Sequence, residues 1–547
     1  MKKLSLILLL PLFYLTANGQ SSDLVKTDGM VNALHQANIG RITFMNGNIP
    51  LDVYKDSDFL TSFELKPVSD LNIRPFLANS ITNYLHQLAP GLSEEELNKK
   101  GNYQFSFYVV GRLIYKENLH HGAGLRKSTT TTFRVPLTTS SGEDWWAVYM
   151  FNRFMMNGGE TALTEGDHQF RLEMRPYINT GEIKVGDLIA QGELKLIIKT
   201  PVLTKEQTEV QPIQPNSGWQ ISNAAIDKQK IEDLNKNIHL NKFKEITGIV
   251  VIKEGKLLLE EYFNKEERTT LHNPRSVGKS FASTMTGIAI HDGYIKSESE
   301  TLKSFYNLKQ FANYSPGKDS VKISDLLSMS SAFDASDNNS DSPGNEENMY
   351  PTANWVKFAL DLPMDKGKAN GKQWDYFTAG VVVLGDILHQ SVPGGLQKYA
   401  DTKLFKPLGI KNYEWQFTPQ HVANTAGGLR LSALDFARYG ELYRNKGVYK
   451  GKQILPKEWV AKTFTKYLPI PGRTNEYYGY LFWNKTYVVN GKSYETFYCT
   501  GNGGNKIYVF QNIPLTIVIT AKAYGRPYAH PQVDKMMQEY ILPAVLK

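Results

Sequence analysis

The segment LHNPRSVGKSFASTMTGIAIHDG, residues 271–293, sets a serine and a lysine three positions apart at the head of an apolar run. Asn273 fits an N-cap, Pro274 fits the first turn, and Val277, Phe281, Met285 and Ile288 recur at helical spacing. A helix is therefore expected that begins near Ser276 and stops at Gly293. Residues three apart share one helical face, which brings Ser276 Oγ and Lys279 Nζ within reach of each other. A hydroxyl is a weak nucleophile until a base removes its proton, and a lysine becomes that base when burial or nearby charge lowers its pKa. The Ser276 N–H, unused by the helix, is placed to donate to an oxyanion beside the positive helix end. The same spacing recurs as SPGK, Ser315 to Lys318, where Pro316 and Gly317 favour a turn. Spacing alone therefore does not make a site.

Outward from this helix, IDKQKIEDLNKNI (226–238) has a helical apolar face and TGIVVIKEGKLLLEEYF (247–263) reads as a hairpin turning at Gly255. Helical patterns fill the middle, about residues 274–465. Then YETFYCT, NKIYVF and LTIVITAKAY read as consecutive strands before a last helix, QVDKMMQEYILPAV. Strands at both ends of residues 220–547 imply an α/β (α+β) domain: an antiparallel sheet completed by long-range pairing, flanked by helices and carrying a helical insertion.

Residues 20–200 have a different texture. RITFMN, YQFSFYVVGRLIYKENL, TTTTFRVPL, WWAVYMF, HQFRLEMRPYI and GELKLIIK alternate in short runs between Gly, Asn, Asp and Ser clusters, the pattern of an all-β sandwich with one helix-like interruption near IRPFLANSITNYLHQL. A hairpin turn is expected at Gly111–Arg112. Of Trp145 and Trp146, adjacent on a strand, one is expected in the core and the other outside. Residues 201–219, polar and proline-bearing, read as a linker.

The first nineteen residues carry two lysines, an apolar run from Leu4 to Leu15, and Ala17 and Gly19 at signal-peptidase spacing, so they are read as a signal peptide and excluded from the fold. No cysteine stands there to take a lipid. Cys499 is the single cysteine of the 547 residues, so no intrachain disulfide forms. The net charge of +8 comes from scattered lysines without a basic block, which argues against a nucleic-acid partner, and no further apolar run is long enough for a membrane span.

Other patterns fall to simpler readings. DASDNNSDSPGNEEN (334–348) lacks the glycine and glutamate of a calcium loop and reads as a solvated loop at the mouth of the site. His120 and His121 have no second pair or cysteine cluster, so no zinc site is expected. GLSEEELNKKGN reads as a solvated helical face, and TGNGGN, with no Lys-Ser/Thr behind it, is not a phosphate loop.

Taken in order, the hairpin, RSVGKSF, ISDLLSMSSAFD, GKQWDYFTAGVVVLGDIL, LFKPLGIKN, AGGLRLSALDFARYGELYRNKG, YGYLFW and GNGGNKIYVF resemble the serine β-lactamase-like hydrolases, in the branch of class C β-lactamases, penicillin-binding esterases and D-amino-acid peptidases. The resemblance covers about residues 225–545. It implies a β-lactamase/transpeptidase-like domain with Ser276 as acyl acceptor, Lys279 as its activator and Tyr376 as the second-motif tyrosine, a phenolate being favoured beside Lys⁺. Thr378 stands where that motif usually has asparagine. The third motif, usually Lys or His followed by Thr-Gly, is matched by Cys499-Thr500-Gly501, or else the glycine-rich GNGGN forms the substrate edge. Ser276, Thr378, Thr500, Gly501, Asn502 and Gly503 are the candidate oxyanion and substrate-binding residues, and the cation expected for a β-lactam carboxylate is absent. Lys506 and Arg526 are candidate replacements, each read more simply as exposed. The implied protein is a secreted or periplasmic serine hydrolase without metal or organic cofactor, acting on small esters, amides or D-amino-acid peptides, with the cell wall a candidate partner. The alternatives are a penicillin-binding sensor that acylates without efficient turnover, and a glycan- or wall-binding protein acting through its N-terminal sandwich.

Overall fold

The computed structural model describes residues 22–546 apart from 31, 48, 51, 52, 67, 68, 122, 124–127 and 140–144. The expected signal peptide, residues 1–19, lies outside the described residues. The chain forms two compact units, Met1–Pro201 and Val202–Lys547.

The first unit is β-rich, as its alternation implies, but its strands form one sheet rather than the two of a sandwich. Strands Arg112–Asn118, Gly101–Val109, Gly166–Asn179, Ala190–Ile198, Arg41–Asn46, Leu71–Phe76 and Val135–Thr138 lie in that order, and two short strands, Ser62–Glu64 and Ile183–Val185, pair with Ala190–Ile198 and Gly166–Asn179 to make nine among the described residues. The sheet is mixed, because Arg41–Asn46 runs antiparallel to one neighbour and parallel to the other. Helices provide the covering layer that a second sheet was expected to give. WWAVYMF, read as a strand, belongs to the helix Trp146–Phe154, whose buried residues Ala147, Val148, Met150, Phe151 and Phe154 recur at helical and not alternating spacing. Phe154 stacks on Phe107 at 4.8 Å and Trp146 lies 6.0 Å from Phe105, which fixes that helix to the sheet. Trp145 is exposed. The hairpin turns one residue earlier than expected, at Val110–Gly111, where both residues have positive φ, the geometry of a type I′ turn.

In the second unit eight strands form a wholly antiparallel sheet in the order Lys256–Tyr262, Ile246–Lys253, Leu515–Ala521, Asn505–Phe510, Lys492–Gly501, Trp483–Val489, Tyr477–Tyr478 and Leu468–Pro469. The N-terminal hairpin pairs with a strand more than 260 residues later, Ile246↔Ala521 at one end of the register, so the sheet closes around the helical insertion as expected. Residues 202–219 are not a free linker. Val210, Ile213 and Trp219 pack against the core of this unit, and Gln211 N–H donates to Glu261 at 2.9 Å. Three scattered apolar side chains, too few to show a period, are enough to dock the segment.

The opening segment forms a 3₁₀ turn, Arg275–Val277, that runs into the helix Gly278–His291. Twelve of the fourteen helix residues are buried, so this is a core helix enclosed on all sides rather than an amphipathic surface one. The SPGK segment forms a short helix, Pro316–Asp319, in which Lys318 is fully buried and donates to the carbonyls of Ala312 and Leu360 at 2.8 and 2.7 Å. Its amine ties loops together and forms no bond to Ser315.

Candidate active site

Ser276 sits in the turn at the head of the buried helix, and Lys279 follows one turn in. Arg275, immediately before the serine, holds a positive φ of 53°, a strained backbone that the surrounding packing maintains. That packing is backbone against backbone. A Cβ on Gly278 would meet Gly427 Cα at 3.1 Å, and one on Gly427 would meet the Arg275 carbonyl carbon at 3.0 Å, so glycine is needed where the AGGLRL segment crosses the Ser276 turn.

Lys279 Nζ lies 2.9 Å from Ser276 Oγ and 2.7 Å from the Ala426 carbonyl oxygen. The side chain is 2% exposed, and burial pulls its pKa below the ordinary lysine value, against the opposing pull of Glu346 and Asp337. The Tyr376 phenol faces the same Ser276 hydroxyl, and its ring centroid is 5.2 Å from the Lys279 ammonium. Its phenol does not shift as the resemblance implied. Burial drives its pKa up, Asp337 and Glu346 add to the rise, and only the Ser276 hydrogen bond opposes it. Tyr376 therefore stands as a neutral proton donor at physiological pH. Trp374 and Trp483 wall its ring at 6.2 and 5.8 Å.

Asp337, within the polar stretch read as a solvated loop, is a support that sequence reasoning missed. One carboxylate oxygen accepts from Thr378 N–H at 2.8 Å, and the other accepts from Glu346 N–H at 2.8 Å. It thus caps the helix that follows Tyr376, Thr378–Ser391, and a second short helix. Thr378, expected at the substrate edge, is 1% exposed, because it is the first residue of that capped helix.

The strand Lys492–Gly501 ends against the turn that carries Ser276. A Cβ on Gly501 would fall 1.8 Å from the Pro274 carbonyl oxygen and 3.0 Å from Ser276 N. This contact favours the Cys499-Thr500-Gly501 register, with Asn502 and Gly503 in the turn that follows. The Asn502 side chain accepts from Gly525 N–H at 2.8 Å and steadies that turn. Cys499 is buried, its thiol pushed up to about 12 by desolvation, so position 499 offers no charge. Lys506, read as exposed, is buried, and Arg526 is half-buried beside Glu245.

A family model described as Beta-lactamase matches residues 241–536. The chain belongs to the beta-lactamase family. Among solved structures similar to this beta-lactamase-family chain is a candidate 6-aminohexanoate-dimer hydrolase from Bacillus anthracis, 18% identical over 61% of this chain and 90% of its own, with a TM-score of 0.47. The octameric penicillin-binding protein homologue from Pyrococcus abyssi is 18% identical over 58% of this chain and 79% of its own, with a TM-score of 0.45. A D-stereospecific amidohydrolase from a Streptomyces species is 15% identical over 53% and 93%, with a TM-score of 0.41. No curated protein matches the sequence. The second unit is accordingly a β-lactamase-like α/β domain with a sheet flanked by helices, within a family of serine hydrolases, and no helix among the described residues is long and apolar enough to cross a membrane.

Gly501 gives the first test. Gly501→Ala is expected to lower kcat/KM by at least about a hundredfold, since a 1 Å displacement of positioned groups is enough for such a loss. The melting temperature should fall as well, because the overlap is with backbone and cannot relax by side-chain rotation. A Gly501→Ala enzyme with wild-type kcat/KM would show that this strand end does not bound the site.

Proposed function

We propose that this protein is an exported serine hydrolase that cleaves an ester or amide bond through an acyl-enzyme on Ser276. The observation that carries the reading is the 2.9 Å contact between Lys279 Nζ and Ser276 Oγ inside a desolvated site, with the Tyr376 ring 5.2 Å from the same ammonium. In its neutral form Lys279 accepts the Ser276 proton as Oγ attacks the substrate carbonyl carbon. The oxyanion is met by the Ser276 N–H and by the strand end from Thr500 to Gly503. Tyr376, a neutral phenol, gives its proton to the departing alkoxide or amine and recovers one from Lys279. Water then attacks the acyl-enzyme ester with the same groups acting in reverse, releasing the acid and restoring Ser276.

Cys499, neutral where the family has a cation, weights simple esters, amides and D-amino-acid peptides above efficient β-lactam hydrolysis. The leader-like residues 1–19 support export. The test is a panel of activated esters, D-amino-acid amides and penicillins with the full-length protein, run beside fluorophosphonate labelling. Labelling together with turnover of an ester or amide is expected. Labelling without turnover of any of them would favour the sensor reading, and the absence of both would overturn the hydrolase.

A further inference from the structure

Asp337 is bonded to more of the site than a helix cap requires. Its backbone N–H donates to the Tyr376 carbonyl at 2.8 Å, and one oxygen of its carboxylate accepts from Thr378 N–H at 2.8 Å. It thus fastens both peptide groups that follow Tyr376. Met329 fastens the rest of this stretch, its carbonyl accepting from Asp375 N–H at 2.8 Å and its sulfur from Phe377 N–H at 3.3 Å. The other carboxylate oxygen of Asp337 accepts from Glu346 N–H at 2.8 Å. Glu346 opens the short helix Glu346–Met349, and its own carboxylate accepts from the Tyr350 hydroxyl at 2.8 Å. Asp337 therefore sets the place of a second carboxylate as well as its own.

The loop that carries Asp337 is closed on itself. The Asn345 amide donates to the carbonyls of Asp337 and Asn339 at 3.3 and 3.1 Å, and Ser336 N–H donates to Ser342 Oγ at 2.9 Å. A Cβ on Gly344 would fall 2.3 Å from Ala335 Cβ, so the two arms of the loop meet without a gap. Its polar residues are spent on holding Asp337 in one position.

Lys279 is enclosed, and an enclosed ammonium is costly unless negative charge faces it. Ser276 Oγ, the Ala426 carbonyl and the Tyr376 ring, which lie against it, are uncharged. Burial lowers the pKa of its amine, and the carboxylates that oppose burial are those of Glu346 and Asp337. Burial raises the Tyr376 phenol, and the same two carboxylates add to that rise. One acidic pair bears on both proton-transfer groups, and Asp337 joins its members.

We propose that Asp337 is a positioning residue of this active site, which fixes the backbone that presents Tyr376 and, with Glu346, forms the acidic pair acting on the Lys279 amine. The inference rests on Lys279 being the base for Ser276.

The test follows kcat and kcat/KM against pH for an alkyl ester, whose leaving group needs a proton, with full-length wild type, Asp337→Ala, Asp337→Asn, Glu346→Gln and Lys279→Met. Asp337→Ala removes the acceptor for Thr378 N–H and is expected to lower kcat by about ten- to a hundredfold, the cost of displacing a positioned group. Asparagine keeps a carbonyl oxygen for that N–H without the charge, so Asp337→Asn should recover most of kcat. Its acid limb should nevertheless move to lower pH by about one unit, because an ammonium that loses a neighbouring carboxylate gives up its proton more readily. Glu346→Gln, which leaves the bonds of Asp337 in place, should move the limb the same way. Wild-type kcat in Asp337→Ala overturns the hold on Tyr376, and an unmoved limb in Asp337→Asn or Glu346→Gln overturns the acidic pair. Should the alanine variant fail to fold, the limb of the asparagine variant decides. A limb that survives in Lys279→Met instead overturns Lys279 as the base, and the proposal with it.

Discussion

Ser276→Ala is expected to abolish fluorophosphonate labelling and to lower esterase or amidase turnover by at least about a thousandfold, because the oxyanion donors alone cannot form the covalent intermediate. Among the described residues Ser276 is the one whose hydroxyl Lys279 Nζ reaches, at 2.9 Å, so a neighbour could replace it only with a change of backbone. Ser280, the next serine on the helix, donates to the Leu481 carbonyl at 2.6 Å and is buried, and Ser283 is fully enclosed. The substitution removes one hydrogen bond from the Lys279 amine and leaves its bond to Ala426, so the fold should lose only about 1 kcal/mol, the usual worth of such a bond. Equal labelling of wild type and Ser276→Ala would place the nucleophile elsewhere. A large loss of melting temperature would mean that Ser276 is chiefly a structural residue.

The residues that were legible in the sequence share one property, which is that their neighbours along the chain determine them. The helix at Gly278, the Ser276–Lys279 pairing and the hairpin at Gly255 follow from spacing and turn chemistry within a few residues. The long-range closure of the sheet was legible from order alone. What could not be read depends on pairing across the sheet or on packing. The runs of residues 20–200 announce strands, but alternation does not say whether one sheet or two will bury them, and Trp146–Phe154 satisfied a loose apolar pattern that its helical spacing of 147, 148, 150, 151 and 154 resolves. Asp337 looks like any acid in a polar loop until the ends of two helices converge on it. Lys506 read as exposed because polarity was the only guide, and Thr378 read as a substrate contact from its place in the motif. Lys506 is buried by its register opposite Thr500, and Thr378 by its place in the first turn of a capped helix.

Lys279→Met carries the other large effect, and its pH dependence separates a base from a mere neighbour. Removing a general base costs about a hundred- to ten-thousandfold, and methionine fills nearly the same volume, so the loss should appear in kcat/KM with the fold intact. In wild type the base must be neutral, so kcat/KM should rise with pH through the folded pKa of Lys279. Burial lowers that pKa, and the acid limb should therefore lie below the ordinary lysine value of 10.5. Tyr376, raised by burial, contributes no limb on the acid side. The stability sign follows from the same shift. Between the lowered folded pKa and 10.5 the unfolded chain binds more protons at this residue than the folded one, so its contribution to stability increases with pH across that window. Below the window the folded protein must bury an ammonium, and Lys279→Met relieves it of that charge. The variant should accordingly lose the acid limb of the rate profile and flatten the rise of melting temperature with pH over one and the same range. A Lys279→Met enzyme that kept the wild-type limb at a reduced rate would show that the proton acceptor for Ser276 is another group, and that the 2.9 Å contact serves only to position the serine.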